Sequence, residues 1–351
     1  MTTSDVSSDG TVSGEVRVFE DRQIIVFDVR FLPSGNTIAH LGLSKVLFRN
    51  GATGAIEHTL HMPEGVRYVM AWALSPSGDR ILWACKETGL HLVGLSGLSS
   101  SSGATNGDGA HEDLSRRYPA YHTACDVTFS PDGRMCAAAH GQAYATVWNL
   151  EGGGLWRLLG REDPRQPPTQ IRRVVWAPDG KTVATRDDRG VVRLWDVETG
   201  RETLRVVGRS NPSLAEVDRP DDEPLDVWSP AGFGAIAFTP DSRHLAAGDA
   251  EVVRLWSVET GREVAAWVGH GARHWGLDYR PRIYAIRFSA DGRRALTIGV
   301  DSALRVWDVP TGTQIWGAIP APCCIDHGDI SADGRRVIWA GCRGMRLYEV
   351  A

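Results

Sequence analysis

A chain of 351 residues with 42% hydrophobic and 23% charged residues has ample material for a core and is too apolar to be disordered throughout. Its formal charge of −5 gives no electrostatic reason to expect nucleic acid or an anionic membrane as partner. No apolar run approaches membrane-spanning length, and the opening MTTSDVSSDGTVSG lacks the basic and apolar regions of a secretory leader, so a cytoplasmic location is expected.

Residues 1–14 are small and polar and read as a disordered tail. EVRVF at 15–19 is a short alternating strand. From Ile24 onward an apolar strand running into a tight turn recurs seven times: VRFLPSG (29–35), ALSPSG (73–78), VTFSPDG (127–133), VVWAPDG (174–180), IAFTPDS (236–242), IRFSADG (286–292) and DISADG (329–334). After each turn comes a second apolar strand. A third strand follows, centred on Phe48, Val93, Trp148, Trp195, Trp256, Trp307 and Tyr348 in turn. The third strand and its own turn are nearly identical in two copies, VVRLWDVETGRE (191–202) and VVRLWSVETGRE (252–263). Looser copies stand at 304–313 (LRVWDVPTGT) and 145–152 (ATVWNLEG). A strand–turn unit returning at long, regular spacing is the signature of a repeat architecture.

On FSPDG (129–133), RLWDVETG (193–200), RVWD (305–308) and the Gly-His pair at 269–270, the chain resembles the WD-repeat β-propellers from about Ile24 to Val350. Only Asp196 and Asp308 complete a Trp-Asp dipeptide, and blades one, two and seven depart furthest from the pattern. The resemblance implies an all-β fold, a seven-bladed propeller of four-stranded antiparallel blades around a central channel, in one domain over 15–351. It also implies that an N-terminal strand closes the ring. Blade seven lacks an outer strand, and EVRVF is the strand left over, so it is expected to pair with residues 345–350 and bury Val16, Val18 or Phe19.

In this family the connections between blades share one face, the top. Here they are long and uneven, with inserts at about 97–123, 208–234 and 269–283 and a Pro-containing spacer at 160–170. The turns on the other face are uniformly tight, so the insertions point to the top as the binding face.

Several residue sets resemble reactive sites. His270, Thr297, Asp301 and Trp307 follow the order of a hydrogen-bonded tetrad found in such repeats, and His, Thr and Asp also resemble a nucleophilic triad. The structural network is the preferred reading, because buried polar groups persist by satisfying one another and the Trp N–H needs an acceptor. Arg193, Arg254, Arg305 and Arg346 recur two residues before the strand aromatic and read as a blade-to-blade packing and ion-pair position rather than a phosphate channel. His270 and His274, with Asp278 nearby, lack helical support and a third ligand, so no metal is assigned. Six cysteines show no CxxC pairing and read as reduced, mostly buried thiols; Cys323 and Cys324 with Asp326 and His327 offer a binding cluster near the channel as the alternative, and buried strand residues are the preferred reading. The carboxylates Glu216, Asp218, Asp221, Asp222, Glu223 and Asp226 sit on a Pro-broken stretch, unsuited to the fixed separation of glycosidase carboxylates.

No catalytic residue and no cofactor is assigned. The functional expectation is a non-enzymatic interaction scaffold that docks a protein or peptide on its top face through Trp228, Phe233, Trp275 and Tyr279, with Asp222, Glu223 and Arg280 supplying charge. The rivals are an enzyme or a small-ligand or metal-binding propeller using the channel mouth, and a regulatory sensor subunit of a separate signalling protein. Abundant Arg, Gly and Ala suggest a GC-rich bacterial genome, and a monomer is favoured.

Overall fold

Alternating apolar strands broken by tight turns form seven four-stranded antiparallel sheets in the computed structural model. It describes residues 14–19, 26, 28–42, 45–62, 69–85, 89–95, 111–113, 124–152, 154–160, 169–207, 234–271, 283–299, 301–318, 325–341 and 344–350. From the innermost strand outward, blade 1 is Asp28–Phe31, Thr37–Leu41, Lys45–Asn50 and Ile56–His61. Blade 2 is Val69–Leu74, Arg80–Cys85, Gly89–Gly94 and His111–Asp113. Blade 3 is Asp126–Phe129, Met135–Ala139, Ala145–Asn149 and Gly154–Leu159. Blade 4 is Ile171–Trp176, Thr182–Asp187, Val191–Asp196 and Glu202–Val207. Blade 5 is Ile236–Phe238, His244–Asp249, Val252–Ser257 and Glu263–Val268. Blade 6 is Ile283–Phe288, Arg294–Gly299, Leu304–Asp308 and Thr313–Ala318. Blade 7 is Ile325–Ile330, Arg336–Gly341, Gly344–Glu349 and, on its outer edge, Gly14–Phe19. The protein is thus a seven-bladed β-propeller closed by its N-terminal strand. The outer strand of blade 2 lies inside the 97–123 stretch, which therefore carries a blade strand as well as a connection.

Each blade is apolar on both faces, and stacking in a ring buries both. Seven clusters result, each spanning two neighbouring blades. Within one strand the alternation divides the work: Trp195 packs toward blade 3, while Leu194 packs toward blade 5.

The recurring Ser/Thr-Pro/Ala-Asp-Gly turn is explained by its hydrogen bonds. Ser130 Oγ donates to Asp132 Oδ1 (2.6 Å) and accepts from the N–H of Met135 (2.9 Å), and Asp132 accepts from the N–H of Arg134 (3.0 Å). Thr239–Asp241, Ser289–Asp291 and Ser331–Asp333 repeat this arrangement. The Gly that follows is left-handed, φ +70° at Gly133, and blade 5 puts Ser242 there at φ +60°. That exception has a use, since Ser242 Oγ accepts from the N–H of Asp179 in blade 4 (2.9 Å). Blades are also clasped by arginines: Arg80 donates to Gly133 O (2.7 Å), Arg294 to Gly334 O (3.0 Å) and Arg336 to Gly35 O.

At the closure, Gly14 pairs with Glu349 and Phe19 with Met345, with a register shift between Glu15 and Arg17. Phe19 enters the cluster between blades 7 and 1, whereas Val18 faces outward at 40% exposure because alternation turns it away from the core. Cys85 and Cys136 are buried and Cys125 half-buried, all three as thiols. Burial pushes the Cys125 thiol up to about 11 and the Cys136 thiol to about 12, which keeps both unreactive near neutral pH. Cys323, Cys324 and Cys342 lie outside the described residues.

Candidate functional site

Blade 6 brings His270, Thr297, Asp301 and Trp307 into one chain of hydrogen bonds. Trp307 Nε1–H donates to Thr297 Oγ1 (2.8 Å), whose hydroxyl is 2.8 Å from His270 Nε2, and His270 Nδ1 is 3.0 Å from Asp301 Oδ1. The direction follows from Trp, which only donates: Thr donates onward to Nε2, and Nδ1–H donates to the carboxylate. Asp301 also accepts from the N–H groups of Gly271 and Ala303, both at 3.2 Å. Arg305 Nη1 is 2.8 Å from Asp301 Oδ2 and equally close to His270 Nδ1; the carboxylate is its acceptor. Gly299 makes the approach possible, since a Cβ there would stand 2.3 Å from His270 Nδ1 and 2.8 Å from Asp301 Oδ1. Burial lowers the His270 pKa against the opposing pull of Asp301. Burial acts to raise that of Asp301, yet the His270 hydrogen bond and the Arg305 charge hold it below the usual carboxylate range.

With Thr297 fully buried and its oxygen engaged by Trp307 and His270, no substrate reaches this hydroxyl. Removing the carboxylate strands His270, two backbone N–H groups and a guanidinium. Asp301→Ala is therefore expected to cost about 3 kcal/mol of stability in denaturant unfolding, with ligand or partner binding per folded molecule unchanged. A variant as stable as wild type but inactive would show that Asp301 serves function directly.

The recurring arginines do form ion pairs, but within a blade rather than between blades. Arg193 Nη1 meets Asp187 Oδ2 at 2.7 Å, and Arg254 meets Asp249 at 2.8 Å and Glu263 at 2.9 Å. Side chains on adjacent strands of one antiparallel sheet stand opposite one another, so the partner comes from the neighbouring strand. In blade 7 Arg346 lies over the Trp339 ring, 5.8 Å from its centroid.

The channel shows what the motifs do not. Val29, Val127, Val174 and Ile286 are buried between blades, so the residues alternating with them on the innermost strands face the lumen. These are Asp28 and Arg30, Asp126, Arg173, Arg287, and His327 with Asp329, while at the equivalent positions blades 2 and 5 carry Ala71, Ala73 and Ala237, which pack against the inter-blade clusters. Arg287 on blade 6 influences Asp28 on blade 1 and Asp126 on blade 3, a reach that runs across the lumen. Each carboxylate is tied to the wall. Asp28 accepts from Val29 N–H (2.8 Å) and Trp72 Nε1–H (2.8 Å), pairs with Arg30 (2.9 Å) and is 3.3 Å from His327 Nδ1. Asp126 accepts from Val174 N–H on the next blade (2.9 Å) and lies 3.7 Å from Arg173. Asp329 accepts from Phe31 N–H across the ring closure (2.9 Å) and from Ile330 N–H (3.0 Å).

Burial works to raise the Asp28 pKa, but Arg30, His327 and Arg287 hold it far below the usual range. Burial prevails at Asp126 and Asp329, whose carboxyls are pushed up. Burial, then repulsion from Arg30, brings the Arg287 guanidinium down to about 10. The sequence signal for this lumen was a charged residue at alternate positions of an otherwise apolar innermost strand, as in DVRF, DVTF and HGDI.

Trp228, Phe233, Trp275, Tyr279, Asp222, Glu223 and Arg280 all lie outside the described residues, as do His274, Asp278 and the carboxylates of 216–226. Among the described residues no three His, Cys, Asp or Glu side chains are grouped to hold a metal ion.

Comparison with known proteins bears on the ring as a whole. The profile of the WD domain, G-beta repeat, matches residues 268–308, the stretch containing the blade 6 tetrad. The chain is 24% identical over 230 residues to the WD repeat-containing protein WDS homolog of Arabidopsis thaliana, covering 64% of this chain and 38% of that protein. It is 22% identical over 279 residues to apoptotic protease-activating factor 1 of Mus musculus, covering 72% of this chain and 20% of that protein. Protein groucho of Drosophila melanogaster is 21% identical over 283 residues, covering 64% of this chain and 38% of the fly protein. The chain therefore spans well under two thirds of the length of these relatives.

Proposed function

The chain is a WD-repeat β-propeller, and from that premise we propose that it is a non-enzymatic scaffold for protein–protein interaction. The observation that carries this reading is in blade 6. The His, Thr and Asp that a hydrolase would need are sealed inside the ring and spent on one another. WD-repeat relatives suggest an interaction role for such a ring. The finer proposal places the partner on the face of the inter-blade connections, with Trp228, Phe233, Trp275 and Tyr279 as anchors and Asp222, Glu223 and Arg280 orienting the encounter. It rests on the uneven length of those connections and on the residue types they carry. Pull-down with Trp228→Ala and Trp275→Ala, against Glu198→Ala in a tight turn of the opposite face, is expected to lose the partner only with the Trp variants. Loss with Glu198→Ala alone, all three being folded, would move the site to the other face.

A further inference from the structure

We propose that the central channel is a binding site for a small phosphate-type oxyanion, held by Arg287 together with Arg30. The inference rests on where hydrogen-bonding capacity is left over in the lumen, and it goes beyond the docking proposal without depending on it. A carboxylate only accepts, and on Asp28, Asp126 and Asp329 both oxygens already receive contacts from the channel wall. Asp28 is filled, with two contacts on each oxygen. These side chains act as clasps between blades, Asp126 joining blade 3 to blade 4 and Asp329 joining blade 7 to blade 1.

The donors are in the opposite condition. A guanidinium carries five N–H groups. Among the described residues Arg30 pairs with Asp28 alone, and Arg287 makes a single hydrogen bond, from Nη1 to Ile286 O at 3.0 Å. Among the described residues no carboxylate stands within ion-pair distance of Arg287. A half-buried cation without a carboxylate in ion-pair distance is poorly compensated, Asp329 and Asp28 acting on Arg287 only from further away, and the Arg30 charge repels it. The lowered pKa of Arg287, caused by burial and then by Arg30, expresses that cost. A tetrahedral oxyanion has acceptors in several directions and suits forks arriving from different blades.

The test uses the full chain and inorganic phosphate, titrated at constant ionic strength against chloride and followed by calorimetry and melting temperature. Wild type is expected to show one saturable site and a rise in melting temperature that chloride does not give. Arg287→Met is expected to weaken phosphate binding by roughly tenfold or more. In chloride alone it is expected to melt no lower than wild type, because it removes a cation with no close partner. Arg287→Lys keeps the charge and loses the fork, and is expected to bind phosphate with intermediate strength. Trp228→Ala is expected to leave the titration unchanged, which separates failure here from failure of the docking proposal. Absence of saturable binding to wild type overturns the site, and so does wild-type binding by Arg287→Met. If Arg287→Met melts well below wild type in chloride, Arg287 is a structural counter-ion of the wall and the assignment is equally overturned.

Discussion

Deleting residues 1–20 is expected to lower the melting temperature clearly, whereas deleting only residues 1–12 is expected to leave it unchanged. The boundary between the two truncations is the strand Gly14–Phe19, which covers the open edge of Gly344–Glu349. Its removal exposes that edge and takes Phe19 out of the cluster formed with Val29 and Ile38 of blade 1 and Ile338, Met345 and Leu347 of blade 7. Burial of one such aromatic stabilises by about 1.5–3 kcal/mol, and the strand's backbone pairs are lost as well. The strand also reaches blade 1 directly, because Arg17 donates to Thr53 O and Phe19 lies against Gly54. Blades 7 and 1 remain joined by Asp329 to Phe31 N–H and Arg336 to Gly35 O, so the truncation weakens that junction rather than abolishing it. Phe19→Ala within the full chain isolates the packing part and is expected to cost about 3 kcal/mol or more. Val18→Ala, at a position facing outward, is expected to be nearly neutral. Scanning calorimetry of the four proteins decides, and equal melting of the two truncations would show that the latch contributes nothing.

The fold was legible because each residue of the repeated phrase has a local task that can be read locally. In VVRLWDVETGRE the alternating apolar residues fill two inter-blade cores, and Arg193 pairs with Asp187 and approaches Glu202 at 3.7 Å. Asp196 caps the turn by accepting from the N–H of Thr199 (2.8 Å), and Gly200 supplies the left-handed step at φ +70°. In the second copy Ser257 takes over the capping, accepting from the N–H of Thr260 (3.2 Å). Such a motif tolerates copying because its turn and its ion pairs are completed within the blade.

The channel was hard to read for the opposite reason. At one corresponding position the innermost segments of the blades carry Asp28, Ala71, Asp126, Arg173, Ala235, Ala285 and His327, so no single residue type marks it. Their partners lie on other blades, and Asp329 meets the N–H of Phe31 only because the ring closes, 298 residues apart in sequence. A repeat pattern reports what blades share. It is silent on what they combine to form. Asp187 and Asp249 escape the pattern for another reason: they serve their arginines within the blade, but not at the spacing used by Asp301.

Acidification from pH 6.5 to 4 is expected to remove about 3 kcal/mol of stability at each of two buried histidines, His140 and His40. Burial brings His140 down to about 4, and burial together with Arg49 and Lys45 brings His40 down to about 3. Both rings must therefore stay neutral for the native state to persist. In the unfolded chain each takes up a proton near pH 6.5. The unfolded state then holds more protons through the whole window, so stability falls as pH falls, by about 1.4 kcal/mol per unit for each ring. For His140 the loss ends near pH 4, where the native ring protonates too; for His40 it continues to about pH 3. The geometry shows why the neutral form is required. Trp148 Nε1–H donates to Thr146 Oγ1 (2.8 Å), which leaves the Thr146 hydroxyl hydrogen to His140 Nε2 at 2.6 Å. A proton on Nε2 would turn that acceptor into a donor and drive the hydroxyl hydrogen into an apolar core. At His40, Arg49 Nε–H donates to Nε2 (3.1 Å), so protonation would set donor against donor and cation beside cation. Asp28 adds to the effect only below about pH 4, where its carboxylate, held ionised in the native ring, is protonated in the unfolded chain. Denaturant unfolding followed across this range is expected to show His140 and His40 each contributing near one proton to the slope, with His270 adding to it and the raised carboxyls of Asp126 and Asp329 opposing it. His140→Gln is expected to be less stable at pH 7 but to lose one proton from that slope. An unchanged slope in the variant would mean that His140 is charged in the native protein, and that the Thr146 hydroxyl does not donate to it.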